Sequence, residues 1–211
     1  MIESSTLKDY KKMLENRLDP YRFVHSLNVA ECARYLAEKY GEDKDKAYLA
    51  GLLHDVLKNT SSDEQLRIIE SDNLMLTPCE AANPKLWHAI SGASFLKNEL
   101  GIKDRDLLNA VRYHTTGRAG MSLLEKIIYI ADFNSADRVY KDVDTMRALA
   151  EESLEDSMLF ALKFCIARLV QTGRTIHIDS IDCYNELLIK LKSREDMYGA
   201  EGTGKRNSKG T

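Results

Sequence analysis

The sequence predicts an all-α fold, and three observations carry that expectation. Side chains that belong on one buried face recur at helical spacing, as with His25, Val29, Cys32 and Leu36. No stretch alternates apolar and polar residues over the length of a strand. Only 3 prolines and 11 glycines punctuate the 211 residues, so the elements are long and the turns few. With 44% apolar and 30% charged residues the chain can bury a core. Its length suits a single helical domain, drawn over residues 1–197, followed by a tail over 198–211.

The elements follow in order. Residues from Thr6 to Glu15 form a polar opening helix with Leu7, Tyr10 and Leu14 on one side. Pro20 marks a break, and the next helix carries His25 and ends at Gly41. Asp45 to His54 is apolar on several faces and therefore central. Ser61-Ser62-Asp63 caps a short amphipathic helix that ends near Ser71. Pro78 and Pro84 bracket a turn-rich stretch before a helix from Leu86 to Leu100. Asp104 to His114 is helical, Thr115 to Gly120 is a polar loop, and Ser122 caps an apolar helix ending near Asp132. Asp142 to Thr172 is helical with a break near Glu151, and Asp179-Ser180 caps a last helix carrying Ile181, Tyr184, Leu188 and Leu191 on one face. From Tyr198 onward the chain has nothing to bury, and disorder is expected there.

Composition also excludes partners. A net charge of -3 offers no basic field for duplex nucleic acid, and the tail cations Lys205, Arg206 and Lys209 are too few to create one. No apolar run reaches the ~20 residues that span a bilayer. Cys32, Cys79, Cys165 and Cys183 are scattered without a Cys-x-x-Cys pair, which reads as reduced thiols. The opening Met-Ile-Glu-Ser-Ser-Thr lacks the apolar core of a signal peptide, so a cytoplasmic location is expected.

Chemistry concentrates in His25, His54, Asp55, His88, His114 and Asp132, which use four of the five histidines. Taken singly, each has a bland reading as a packed histidine or a helix-end carboxylate. Jointly they favour a metal site. His25 shares the core stripe of its helix, and Asp132 follows the buried position Ile128 by four residues, so both point inward. His54 and Asp55 are adjacent, and side chains about 100° apart on a helix can serve two cations. Imidazoles mixed with carboxylates suit Fe, Mn, Co or Zn. The remaining histidine, His177, stands between two isoleucines and reads as structural, and Tyr10, Tyr21, Tyr35, Tyr48 and Tyr113 read as helix packing, with a base-stacking partner among them as the less frequent use.

Several segments closely resemble the YqeK family of bacterial HD-domain hydrolases. They are Arg22-Phe-Val-His25-Ser, Gly51-Leu-Leu-His54-Asp55-Val-Leu-Lys58, Tyr113-His114-Thr115-Thr116-Gly117, and the run from Met121 through Ile-Tyr-Ile to Ala131-Asp132. The resemblance implies an HD-type helical bundle and symmetrical cleavage of diadenosine tetraphosphate (Ap4A) into two ADP. It implies a dinuclear centre, of iron in the first instance, with Mn or Co also fitting. By position, His25, His54, Asp55 and Asp132 match the first metal's ligands, and His88 and His114 match the second's, with Asp55 bridging. One stretch departs from the family pattern. Phe133-Asn134-Ser135-Ala136-Asp137-Arg138 lacks the usual Glu-Pro pair but keeps the arginine, which leaves the ligands intact and puts substrate preference or rate at issue.

Roles beyond the ligands follow from phosphoanhydride chemistry, which needs a hydroxide at neutral pH and compensation for charge on phosphate oxygens. Asp55 can take the water's proton as well as bind metal. Lys58 is assigned to a phosphate oxygen, against the reading of a solvent-facing lysine. Arg138 is a candidate phosphate clamp, against a salt bridge to Asp137, Asp142 or Asp144. Thr115, Thr116 and Gly117 offer hydroxyls and backbone N–H groups to phosphate, or form a plain helix-ending turn, and Arg118 extends the phosphate path. Two further functions stay open: hydrolysis of another nucleotide phosphoester or anhydride, and nucleotide binding without turnover. The C-terminal helices offer an apolar seam for a homodimer.

Overall fold

The computed structural model describes residues 4–203, and among these there is no strand. The helices are α1 (Ser4–Arg17), α2 (Pro20–Tyr40), α3 (Lys44–Leu53), α4 (Ser62–Ser71), the single turn α5 (Pro78–Ala81) and α6 (Trp87–Asn98). They continue with α7 (Arg105–Tyr113), α8 (Leu123–Asn134), α9 (Val143–Glu152), α10 (Leu154–Gln171) and α11 (Ile178–Thr203). None is long and apolar enough to cross a membrane. The expected all-α fold is what the chain adopts.

Local chemistry sets the boundaries. Asp19 accepts the Arg22 N–H at 2.9 Å, Pro20 occupies the first helical turn, and Gly41 closes α2 at φ +79°, a left-handed conformation that glycine takes without strain. Ser61 caps α4, and Ser122 with Glu125 forms a capping box at the start of α8. The expected break near Glu151 falls at Ser153, which ends α9 and caps α10. The stretch between Pro78 and Pro84 holds α5 and leads into a 3-10 turn, Pro84–Leu86, that feeds α6.

Two expectations need correction. α11 begins at Ile178, ahead of Asp179-Ser180, and its opening N–H groups are met by His177, whose Nδ1 accepts the Asp179 N–H at 3.2 Å. The Ser180 hydroxyl instead donates to the Thr116 carbonyl at 2.7 Å. The backbone helix also extends over residues 198–203, the first part of the expected tail. Residues 204–211 lie outside the described residues.

The core forms around α3, buried from Ala47 to Leu53, with α2, α7 and α8 packed against it. α8 contributes Leu124, Ile127, Ile128, Ile130 and Ala131, all fully buried. Asn59 ties the segment after α3 to the start of α2, donating from Nδ2 to Asp19 at 2.8 Å and accepting the Asp19 N–H at 3.1 Å. That pair of hydrogen bonds ties the helix carrying His25 to the turn carrying Asp55.

Gly51 sets how closely α2 and α3 approach. A Cβ there would stand 2.9 Å from Ala30 Cα and 3.0 Å from the Val29 carbonyl oxygen, both backbone atoms that cannot swing aside. Gly51→Ala therefore wedges the helices apart. The overpacking cost, on the order of 1–3 kcal/mol, outweighs a helix-propensity gain of about 1 kcal/mol. Thermal unfolding of this variant is expected at a lower midpoint than wild type; an unchanged or raised midpoint would show that the contact is not limiting.

Candidate metal centre

Three histidines are held by one device. His54 Nδ1 lies 2.7 Å from the Gly51 carbonyl oxygen, His88 Nδ1 2.8 Å from that of Lys85, and His114 Nδ1 2.7 Å from that of Val111. A carbonyl only accepts, so each Nδ1 carries the hydrogen and each Nε2 is left as a bare lone pair. His54 follows α3 directly and His114 follows α7, where the last helical carbonyls have no partner along the helix. The rings satisfy those carbonyls and are aimed by them.

The bare nitrogens converge. His88 Nε2 and His114 Nε2 are 3.2 Å apart, and the buried His54 Nε2 has no hydrogen-bond partner at all. Asp55 stands between them. Its Oδ1 is 3.2 Å from His88 Nε2 and 3.5 Å from His114 Nε2, while its Oδ2 is 3.6 Å from His54 Nε2. Lone pairs facing a carboxylate in a buried site repel, and a shared cation is what removes the repulsion. Ligand atoms of three groups lie within 4.8 Å of one another: His25, His54 and Asp55; His54, His114 and Asp132; Asp55, His88 and His114. The donor set therefore fits a transition-metal centre, with all six expected ligands brought together.

Protonation agrees with that fit. Burial pushes the pKa values of His54 and His88 down to about 4, so both rings are neutral near pH 7. Burial opposes ionisation of Asp55, but the Lys58 ammonium beside it holds its carboxyl well below the usual range. For Asp132 burial is likewise outweighed, by the His25 hydrogen bond and the Arg138 guanidinium. Neutral imidazoles and ionised carboxylates are the states a metal takes up without displacing protons.

Three partners of the centre escaped the sequence reading. His25 presents Nε2 to Asp132 Oδ1 at 3.0 Å, and its Nδ1 lies 2.8 Å from Asp137 Oδ2. Asn28 Nδ2 donates to the other Asp137 oxygen at 3.2 Å, so Asp137 orients the imidazole and is itself oriented. Asp137 lies in the stretch that departs from the family pattern, which was the one available signal. Arg22 Nη1 reaches Asp55 Oδ2 at 3.3 Å.

The second tier of expected residues divides. Lys58 Nζ sits 3.0 Å from His88 Nε2 and 3.5 Å from Asp55 Oδ1, pointing into the centre. Arg138 donates from Nε to the Asp132 carbonyl at 2.7 Å and from Nη2 to the Asp132 carboxylate, in place of the pairings with Asp137, Asp142 or Asp144. Arg118 is engaged elsewhere, donating to both oxygens of the buried Glu125 at 2.9 and 2.8 Å. Gly117 spends its N–H on the Tyr113 carbonyl at 2.8 Å, and a Cβ there would meet Cys183 Sγ at 3.2 Å. Thr116 is buried, and the Thr115 and Thr116 hydroxyls find no partner. The loop from Thr115 to Arg118 thus ends α7 and packs against α11. Burial raises the thiol pKa of Cys32 to about 12 and of Cys165 and Cys183 to about 11, which removes them as nucleophiles.

Two outcomes follow. Asp137→Asn, which keeps the shape but loses the carboxylate behind His25, is expected to weaken metal affinity by roughly 10–100-fold in chelator competition; unchanged affinity would show that Asp137 does not support the ligand. The metal-free protein should lose stability as pH falls. Unfolded imidazoles protonate near 6.5 whereas His54 and His88 resist until about 4, so the unfolded state gains protons across that window. Calorimetric midpoints that stay flat from pH 7 to 4 would contradict the assignment.

Comparison with known proteins agrees with the geometry. The HD domain family matches residues 22–137, a span that opens at Arg22 and closes at Asp137. The chain is 36% identical over 175 residues to the symmetrical bis(5'-nucleosyl)-tetraphosphatase of Bacillus subtilis, covering 83% of this chain and 94% of that protein. It is 35% identical over 180 residues to the enzyme of the same name from Staphylococcus aureus, covering 83% and 91%. A solved HD superfamily hydrolase from Clostridium acetobutylicum, described as involved in NAD metabolism, superposes with a TM-score of 0.85 at 37% identity, over 87% of this chain and 97% of that one. With these likenesses spanning nearly all of the helical domain, the chain belongs to the HD-domain family, in the YqeK-type branch of the symmetrical bis(5'-nucleosyl)-tetraphosphatases.

Proposed function

We propose that this chain hydrolyses dinucleoside tetraphosphates symmetrically, converting Ap4A to two ADP. The observation that carries the reading is the placement of a cationic cavity against the metal-ligand cluster. The cavity, of about 500 Å³, is lined by Arg22, Lys58 and Lys85 together with His88, Gln65 and Thr60. Three cations facing two carboxylates and four imidazoles suit a polyanion whose charge is compensated on both sides. The activity of the Bacillus and Staphylococcus relatives, by their names, is this one.

The reading includes a dinuclear centre, of iron in the first instance with Mn or Co as fitting substitutes. His25, His54, Asp132 and one oxygen of Asp55 would hold one cation, and His88, His114 and the other oxygen of Asp55 the second. When bound, such a pair supplies hydroxide at neutral pH and draws charge from phosphate oxygens. The chain's own groups do the rest. Lys58 and Arg22, which reach the Asp55 carboxylate from the cavity side, bind the oxygens of the central phosphates. Asp55, whose carboxyl is held well below its usual range, stays ionised as a ligand, and the proton of the attacking water leaves to solvent. Scission of the central P–O–P bond leaves two diphosphates, and Lys58 and Lys85 neutralise the charge that appears on the departing ADP. Arg138 positions Asp132 and offers its guanidinium to a phosphate on that side.

Ion-exchange analysis of products tests the reading, with protein reconstituted anaerobically with Fe(II), Mn(II) or Co(II) and given Ap4A. ADP as sole product, abolished along with metal binding in His54→Ala, is expected. AMP with ATP would reject symmetrical cleavage, and metal-loaded protein without turnover would move the assignment to other nucleotide esters or to binding alone. Lys58→Ala should lower turnover by roughly 10²-fold or more with metal content unchanged. Loss of metal in that variant would place Lys58 in the centre's framework instead.

A further inference from the structure

A second cavity, of about 220 Å³, opens beside the centre and shares no lining residue with the cationic one. It is lined by Asp132, Phe133, Arg138, Tyr140, Phe164 and Arg168. Its floor is aromatic. The rings of Tyr140 and Phe164 lie 6.2 Å apart between centroids with 28° between their planes, and the Tyr140 hydroxyl donates to the Phe133 carbonyl at 3.2 Å, which fixes that ring. Phe164 is 41% exposed although a neighbouring ring is available to cover it. What sets this ring apart is its place: it is partly open in a cavity that also holds Asp132 and Arg138, and its face offers a flat ligand a stacking surface. Arg138 joins the two regions: one end of the cavity is its guanidinium, which also grips Asp132.

We propose that the exposed face of Phe164, backed by Tyr140, seats one nucleobase of the substrate, with Arg138 spanning from that seat to the phosphates at the centre. This rests on the reading of the substrate as a nucleotide and adds where its nucleoside end lies. The two halves of a symmetrical substrate then meet unlike surroundings, a cationic cavity by His88 and an aromatic one by Asp132. The Tyr140 hydroxyl is already spent on Phe133, so the seat stacks a base on its π-face and selects nucleotides over bare polyphosphate. Arg168 at the rim adds a cation near the stacked ring.

Titration calorimetry on the full chain loaded with Mn(II) tests the seat by comparing ADP with pyrophosphate, the same charged group without a nucleoside. Wild type should bind ADP more tightly than pyrophosphate. Phe164→Ala should weaken ADP about tenfold and leave pyrophosphate unchanged, and Phe164→Tyr, which keeps the ring, should restore ADP binding. Equal ADP affinity in wild type and Phe164→Ala overturns the proposal, as does an equal loss for both ligands. Self-association that disappears in Phe164→Ala, followed by sedimentation velocity, also overturns it by showing that a second copy covers the ring. Should wild type release no ADP from Ap4A, the hydrolase reading fails by itself, while the contrast between ADP and pyrophosphate still decides the seat.

Discussion

The fold converges on buried lone pairs that repel one another unless a cation lies between them. His54, His88 and His114 each surrender their one hydrogen to a backbone carbonyl and turn a bare Nε2 inward. Asp55, nearly inaccessible to water, adds two more sets of lone pairs at the point where those nitrogens meet. Lys58 and Arg22 offset part of the charge from one side and Arg138 from the other. They come from the rim, however, and leave His54 Nε2 without a donor. A metal between the ligands is the stabilising element that the arrangement calls for, and its binding energy adds to folding energy.

The helices explain why those lone pairs point the same way. α3 is buried throughout, so the residue after its last turn is delivered into the interior and not to the surface. α7 does the same for His114. Both rings satisfy carbonyls that a helix end leaves open, and the carbonyl ends of helices favour positive charge nearby. Gly51 allows α2 to lie against α3, which sets His25 across from His54, and the Asp19–Asn59 pair fixes the offset between them. Packing and chemistry are thus one problem: shifting α2 against α3 misplaces a ligand.

Legibility in the sequence followed distance along the chain. Residues whose helix face is set by local periodicity, such as His25 on the stripe of Val29 and Cys32 or Asp132 four beyond Ile128, could be pointed inward without a structure. The helices themselves were legible for the same reason, since caps such as Ser61 and Ser122 and the left-handed Gly41 are local signals. Asp137 and Arg22 were not legible as partners, because their contacts join segments 112 and 33 residues apart and leave no periodic trace. Thr115 to Arg118 looked like a phosphate loop by residue type. The decisive facts were tertiary: Glu125 captures Arg118, and Cys183 on α11 fills the space beside Gly117. Phe164 carried no signal because an exposed phenylalanine in an amphipathic helix is unremarkable until its neighbours are known.

The most direct test of the central claim is anomalous X-ray diffraction at the iron edge from crystals of anaerobically purified protein. Two iron peaks are expected, one among His25, His54 and Asp132 and one at His88 and His114, with the two oxygens of Asp55 divided between them. A cluster without an anomalous peak, in which Asp55 pairs only with Lys58 and Arg22, would contradict it.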